Sequence, residues 1–128
     1  MGKVLSIIIP AYHEEATIHL ILTKVVNVKL DHDFGKEVVI VDDGSKDDTI
    51  GAVKRFLAEY PEENMRLVEH GQNKGKGAAL HTGIKEATGD YIVVQDADLE
   101  YDPEEFNILL KPVVSAEADV VYGSRFMG

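Results

Sequence analysis

Tyr91-Ile92-Val93-Val94-Gln95-Asp96-Ala97-Asp98 sets a run suited to a buried strand directly against two carboxylates that straddle one small residue. In a parallel sheet both faces of a strand are covered, so its residues are apolar β-formers and charge appears only where the strand emerges. Asp96 and Asp98 are therefore expected at the C-terminal mouth of the strand. Residues two apart in extended chain point to the same side, and Ala97 keeps the approach between them open. Hard oxygen donors so placed suit Mg²⁺ or Mn²⁺, more so when a ligand's phosphates complete the shell. They equally suit a pair of caps before the next helix, and so short a motif decides nothing alone.

Outward from this stretch, strand and helix alternate. Val4 to Pro10 reads as a buried strand, stopped by Pro10, which cannot donate to a ladder. Glu14 or Thr17 opens a helix with Ile18, Leu22, Val25 and Val26 at helical spacing, ending near Val28. A polar turn from Lys29 to Lys36 leads into a second buried strand, Glu37 to Val41, ending in Asp42-Asp43. Gly44-Ser45 make the turn, and Asp47 or Asp48 caps a helix to Tyr60 with Ile50, Val53, Phe56 and Leu57 inward. Met65 to Glu69 is a short third strand; Gly71 to Gly77 is a glycine- and lysine-bearing loop; a helix runs from Ala78 to Ala87 with Gly89 at its exit. Asp102-Pro103 starts a helix through Leu110 and beyond, which Pro112 should kink or end, and Asp119 to Gly123 is a fifth strand.

Such alternation calls for an α/β fold, a Rossmann-like three-layer α/β/α arrangement with a mostly parallel sheet. With strand order 3-2-1-4, the winding reverses between strands one and four, and ligands bind there at the carboxyl ends. The acids then converge: Glu14 and Glu15 after strand one, Asp42 and Asp43 after strand two, Asp96 and Asp98 after strand four. Random placement would scatter them over both ends of the sheet.

The 128 residues suffice for one domain and a single core. Hydrophobic content of 45% with 28% charged residues fits a soluble globular protein. A net charge of −10 disfavours nucleic-acid phosphates and polybasic docking on anionic lipid. A divalent cation would reconcile that charge with an anionic ligand. Cys is absent, which removes disulfides and thiolate metal sites and makes a reducing cytoplasm the expected compartment. No signal peptide is read before the first strand, and the run around Ile7-Ile8-Ile9 is too short to span a bilayer.

Several sites are excluded by their loops. Pro10-Ala11-Tyr12-His13-Glu14-Glu15 stands where a nicotinamide dinucleotide fold wants glycines, and its acids would repel a pyrophosphate. Gly75-Lys76-Gly77 is no P-loop, because Gly77 occupies the place of the Mg²⁺-ligating Ser or Thr. The loop either allows close backbone approach to a ligand or simply turns the chain. The five histidines show no zinc-helix spacing and are expected on the surface. Tyr12, just past a strand end, either stacks on a base or packs on the first helix.

Four stretches taken in order, S-I-I-I-P-A-Y-H-E-E (Ser6 to Glu15), V-V-I-V-D-D-G-S-K-D-D-T (Val38 to Thr49), N-K-G-K-G-A-A-L (Asn73 to Leu80) and G-D-Y-I-V-V-Q-D-A-D-L-E (Gly89 to Glu100), resemble family 2 glycosyltransferases of GT-A fold. With A-D-V-V-Y-G-S-R-F (Ala118 to Phe126), the chain is most similar within that family to the dolichyl- or polyprenyl-phosphate mannose and glucose synthases. The resemblance implies a nucleotide-diphosphate sugar donor (GDP-mannose or UDP-glucose type), a divalent metal, and a lipid-phosphate or glycan acceptor. By carry-over, Pro10, Tyr12 and Glu14 line the nucleoside pocket and Asp42 holds the base. Asp96 and Asp98 serve ribose and metal, Glu100 is a third metal contact, and Arg125 approaches the diphosphate or acceptor phosphate. Ala11, Val41, Lys76 and Ala97 complete the binding set. His13 stands where Asn is commoner, and Glu100 where mannose synthases often carry Gln.

The resemblance also implies transfer with inversion by direct displacement, and no residue emerges as a general base. Family members are longer, so the chain is expected to be the donor-binding part alone, with any membrane contact made through missing regions. An unpaired sheet edge or an uncovered helix face is then expected to drive self-association. Two other readings compete. A non-catalytic nucleotide-sugar-binding fragment differs from the enzyme only in turnover. A receiver-type Mg²⁺-binding signalling domain wants an acid pair after strand one and a Lys after strand five, where this chain has Arg125.

Overall fold

The structure, a computed structural model, describes residues 3–30, 34–95 and 120–122. Its elements are β1 (Val4–Ala11), α1 (Ile18–Asn27), β2 (Gly35–Asp42), α2 (Thr49–Glu59), β3 (Met65–Glu69), α3 (Lys76–Glu86), β4 (Tyr91–Val94) and β5 (Val120–Tyr122). They form one sheet of order β3-β2-β1-β4-β5, with all pairings parallel. The expected 3-2-1-4 order is thus present, with β5 added beside β4. The helix expected from Asp102-Pro103 lies outside the described residues.

Parity along the strands sorts the core into two layers. Leu5, Ile7, Ile9 and Ala11 of β1 and Val38 and Ile40 of β2 pack with Ile18, Ile21, Leu22 and Val25 of α1 and Val53 and Phe56 of α2. Ile8, Val39, Val41 and Val94 turn to the opposite face, under Ala79 of α3. Successive side chains of a strand point to opposite faces, so helices on both sides require apolar residues at every position. That is why the runs are unbroken.

α1 shows what holds the helices. Its N-cap, Thr17, makes no side-chain cap bond. A cap adds about 1 kcal/mol, whereas burying each of Ile18, Ile21, Leu22 and Val25 adds about 1.5–3 kcal/mol, so burial dominates. At the other end Lys36 Nζ donates to the carbonyls of Val25, Val26 and Val28 at 2.8–2.9 Å. Lys36 therefore belongs to β2 and to the end of α1, not to a turn. The inward set also differs from expectation: Ile21 is fully buried in α1, and Ile50 is only half-buried in α2.

A buried polar cluster fastens the entry to β4. Glu37, at 1% exposure, accepts from the Ser6 hydroxyl, the Thr88 N–H at 2.8 Å and the Thr88 hydroxyl at 2.7 Å. Arg66 lies 3.2 Å from it. Burial pushes the Glu37 carboxyl up, but these donors outweigh it and hold it below its ordinary value.

On the opposite face α3 sits close to the sheet at Gly83. A Cβ there would overlap Ile8 Cγ2 and lie 3.4 Å from Val41 Cγ2. We therefore expect Gly83→Ala to destabilise the fold by about 1–3 kcal/mol through overpacking. Urea unfolding should show a lower midpoint at unchanged slope; an unchanged midpoint would contradict the close contact.

Candidate functional site

Parallel pairing brings the exits of β1, β2, β3 and β4 to one edge of the sheet, and the loops there are tied to one another. His13 N–H donates to Ser45 Oγ at 2.9 Å, Glu14 N–H to Thr49 Oγ1 at 2.8 Å, and Asp48 N–H to Glu15 Oε1 at 3.0 Å. Asp48 occupies the N-cap position of α2 without a side-chain cap bond. Asp47 caps instead, taking the Thr49 N–H at 3.0 Å.

Pro10 does not end β1, which continues to Ala11 opposite Asp42. Ile8 O accepts from Gln95 N–H on the β4 side, and Ala11 O from Asp43 N–H on the β2 side, both at 2.9 Å. By parity Pro10, like Ile8, faces β4, so its missing N–H removes a bond on that side alone. The described β1–β4 register ends at Ile8↔Val94.

Tyr12 is 39% exposed, and its ring stacks on that of His13 with centroids 3.9 Å apart. His13 has φ +54°, a region that Asn, Asp and His enter more readily than other side chains. The place where the resemblance favours Asn is thus one where His also fits. Glu14 is half-buried and accepts from the Thr17 hydroxyl at 2.8 Å.

The two acids at the tip of β2 differ. Asp42 is fully buried; its Oδ2 accepts from Gly44 N–H at 3.1 Å and Ser45 N–H at 2.9 Å. Asp42 Oδ1 is buried with no hydrogen-bond partner among the described residues. Asp43 is fully engaged. Its Oδ1 accepts from Lys74 N–H at 2.9 Å and from His70 Nδ1 at 2.9 Å, and its Oδ2 from Gly75 N–H at 2.9 Å. Burial pushes the Asp43 carboxyl up, yet Lys74, His70 and Gly75 outweigh it and keep it below its ordinary value. Asp43 organises the loop after β3 and is not an open acid of the cluster.

His70 corrects the expectation of surface histidines. Its side chain is only 7% exposed, and Nε2 lies 2.8 Å from Thr82 Oγ1. A carboxylate can only accept, so in the neutral ring Nδ1 carries the proton and Nε2 accepts from the Thr82 hydroxyl. Sequence reading missed this residue because a lone His after a strand has no motif. Its one signal was position, at the exit of a strand adjacent to the Asp42-Asp43 tip.

The remaining expected residues divide. Pro10 and Ala11 are buried at the end of β1, and Val41 lies in the core under α3. Lys76 is exposed and is the first residue of α3, so the helix starts before the expected Ala78. Asp96, Ala97, Asp98, Glu100 and Arg125 lie outside the described residues. Among the described residues no group of three His, Cys, Asp or Glu side chains could hold a metal ion, and no helix is long and apolar enough to cross a membrane.

The bonds to Asp43 have a pH signature. A carboxyl held below its ordinary pKa stabilises the fold above the unfolded-state value, and that contribution is lost as pH falls through the folded-state value. Asp43→Asn should cost about 1–3 kcal/mol at neutral pH. In urea midpoints measured from neutral to acid pH, the gap to wild type should shrink on acidification. A constant gap would contradict the assignment.

The chain matches the family described as "Glycosyl transferase family 2" over residues 6–128. A dolichyl-phosphate beta-glucosyltransferase from Dictyostelium discoideum is 34% identical over 129 residues, covering 94% of this chain and 39% of that protein. A dolichol-phosphate mannosyltransferase from Pyrococcus furiosus is 32% identical over 122 residues, covering 95% of this chain and 33% of that protein. The chain therefore spans well under half the length of the curated relatives it matches. Among solved structures, a mannosyltransferase from Pyrobaculum calidifontis in complex with GDP-Man and Mn²⁺ has a TM-score of 0.72 at 31% identity, covering 82% of this chain and 30% of that one.

Proposed function

Because the chain belongs to glycosyl transferase family 2, we propose that it is the donor-binding part of an enzyme that moves a hexose from a nucleotide-diphosphate sugar to a polyprenyl phosphate. The observation that carries this reading is Asp42 Oδ1, a buried carboxylate oxygen without a partner among the described residues, at the edge where loops gather. An unmet buried acceptor is costly, and a ligand N–H removes that cost. Guanine and uracil each present a ring imino N–H, and the exposed Tyr12–His13 stack offers a flat face to the same base. Glu14, Pro10 and Ala11 border that position in the chain.

The diphosphate end is assigned from sequence and from relatives. Asp96 and Asp98, with Glu100, would hold Mg²⁺ or Mn²⁺ through oxygen donors; the Mn²⁺ complex of the Pyrobaculum calidifontis enzyme supports that choice. When bound, the ion supplies positive charge to the leaving diphosphate. Arg125 would add a fixed positive charge there. In the transfer an acceptor phosphate oxygen forms a bond to the anomeric carbon from the face opposite the leaving group. The bond to the diphosphate breaks with its electron pair, and configuration inverts. A phosphate monoester with a second pKa of about 6 is already largely ionised near neutrality, so such an acceptor has little need of a general base. The curated relatives named for dolichyl phosphate support this acceptor class.

A thermal-shift panel of GDP- and UDP-sugars with and without Mn²⁺ tests the reading. Asp42→Asn keeps an oxygen for the turn but replaces the open acceptor with a donor. Losing a hydrogen bond to a charged group, worth about 1.5–3 kcal/mol, weakens donor binding about tenfold to a hundredfold. Asp98→Ala should abolish the metal-dependent part of the shift. Unchanged donor binding in Asp42→Asn would refute the assignment of the base.

A further inference from the structure

The loop of residues 71–75 has no anchor of its own. Gly71, Gln72, Asn73 and Lys74 are exposed and Gly75 is half-buried, so no side chain from this segment enters the core. Its ties run to the tip of β2. Lys74 N–H and Gly75 N–H donate to the Asp43 carboxylate. Gly44 packs so closely on the Gln72–Asn73 peptide that a Cβ would come within 2.8 Å of Gln72 Cα, at φ +79°. Asp43 is in turn held by His70, which bonds three residues at once. Its N–H donates to Asp42 O at 3.0 Å, its Nδ1 meets Asp43 at 2.9 Å, and its Nε2 meets Thr82 of α3 at 2.8 Å.

We propose that His70 is a positioning residue: through Asp43 it fixes the 71–75 loop and the start of α3 against the Asp42 tip, and thereby sets donor affinity. The second half rests on the reading of Asp42 as the base contact. Without the imidazole, Asp43 loses a lateral partner and its carboxylate no longer has one fixed rotamer from which to receive both loop amides. The loop then samples other positions beside the crevice while the sheet, whose core His70 does not build, stays intact. A filler of the same volume could not replace it, because the effect comes from an N–H at the Nδ1 position.

That requirement separates positioning from packing. Asn places an N–H near the position of Nδ1, whereas Gln reaches towards that of Nε2 and Leu only fills space. Hydrogen exchange on the full chain reads the clamp without any ligand. His70→Ala, His70→Gln and His70→Leu should each speed exchange of the Lys74 and Gly75 amides at least tenfold, with Ile7 and Ile40 unchanged, and His70→Asn should restore protection. Imidazole ¹⁵N spectra of wild type should show a protonated Nδ1. Titration with GDP and UDP in the presence of Mn²⁺ should show affinity falling in the same order as protection.

Unchanged protection in the alanine variant, or better rescue by Gln or Leu than by Asn, overturns the proposal. So does lost loop protection with unchanged affinity. If wild type binds neither nucleotide, the donor reading fails, and the exchange experiment alone decides the clamp. Should His70→Ala not fold, Thr82→Val removes the hydroxyl at nearly constant volume. It should shift the Nε2 resonance and loosen the same amides, and no change in either overturns the proposal.

Discussion

Two consecutive carboxylates at the end of a fully buried strand must each find donors, and β2 meets that demand with its neighbours' loops. Asp42 folds the chain back on itself through Gly44 and Ser45. Asp43 reaches sideways to the loop after β3. An unpaired buried carboxylate would cost several kcal/mol, so the positions of both loops are dictated by charge satisfaction more than by packing. What is left over, Asp42 Oδ1, is the part of that demand the described residues do not meet.

The sheet supplies the geometry. β1 lies at its centre, paired to β2 from Val4 to Ala11 and, among the described residues, to β4 from Leu5 to Ile8. The proline inside β1 has its missing N–H on the side of β4, the strand at the winding reversal. A binding position between β1 and β4 at their carboxyl ends follows from strand order. The acid-rich composition, with a net charge of −10, fits a site at which a divalent cation mediates contact with phosphates.

Much of this was legible in the sequence. Unbroken apolar runs such as Val38-Val39-Ile40-Val41 can only be strands covered on both faces, and the alternation with helical periods fixed the sheet type. Boundaries were less legible. Lys36 looks like turn chemistry until its ammonium is seen capping α1, and Lys76 looks like loop until Gly75 is seen at the N-cap. Buried polar groups were least legible. Glu37 and His70 are both polar residues whose burial depends on partners far away in the chain, Thr88 for one and Asp43 and Thr82 for the other. No local pattern carries that information, whereas the Asp42-Asp43 pair announces itself because acids directly after an apolar strand are conspicuous.

The central claim is that a metal-bound donor sits at the carboxyl edge of the sheet beside the tip of β2. Paramagnetic broadening by substoichiometric Mn²⁺ with GDP or UDP, read on the amide spectrum of the ¹⁵N-labelled chain, tests it most directly. The account predicts loss of intensity at Ala11, Asp43, Gly44 and Gln95, with Val4, Glu37 and Tyr91 at the opposite ends of their strands retaining theirs. Broadening centred on Val4, Glu37 and Tyr91 would contradict it.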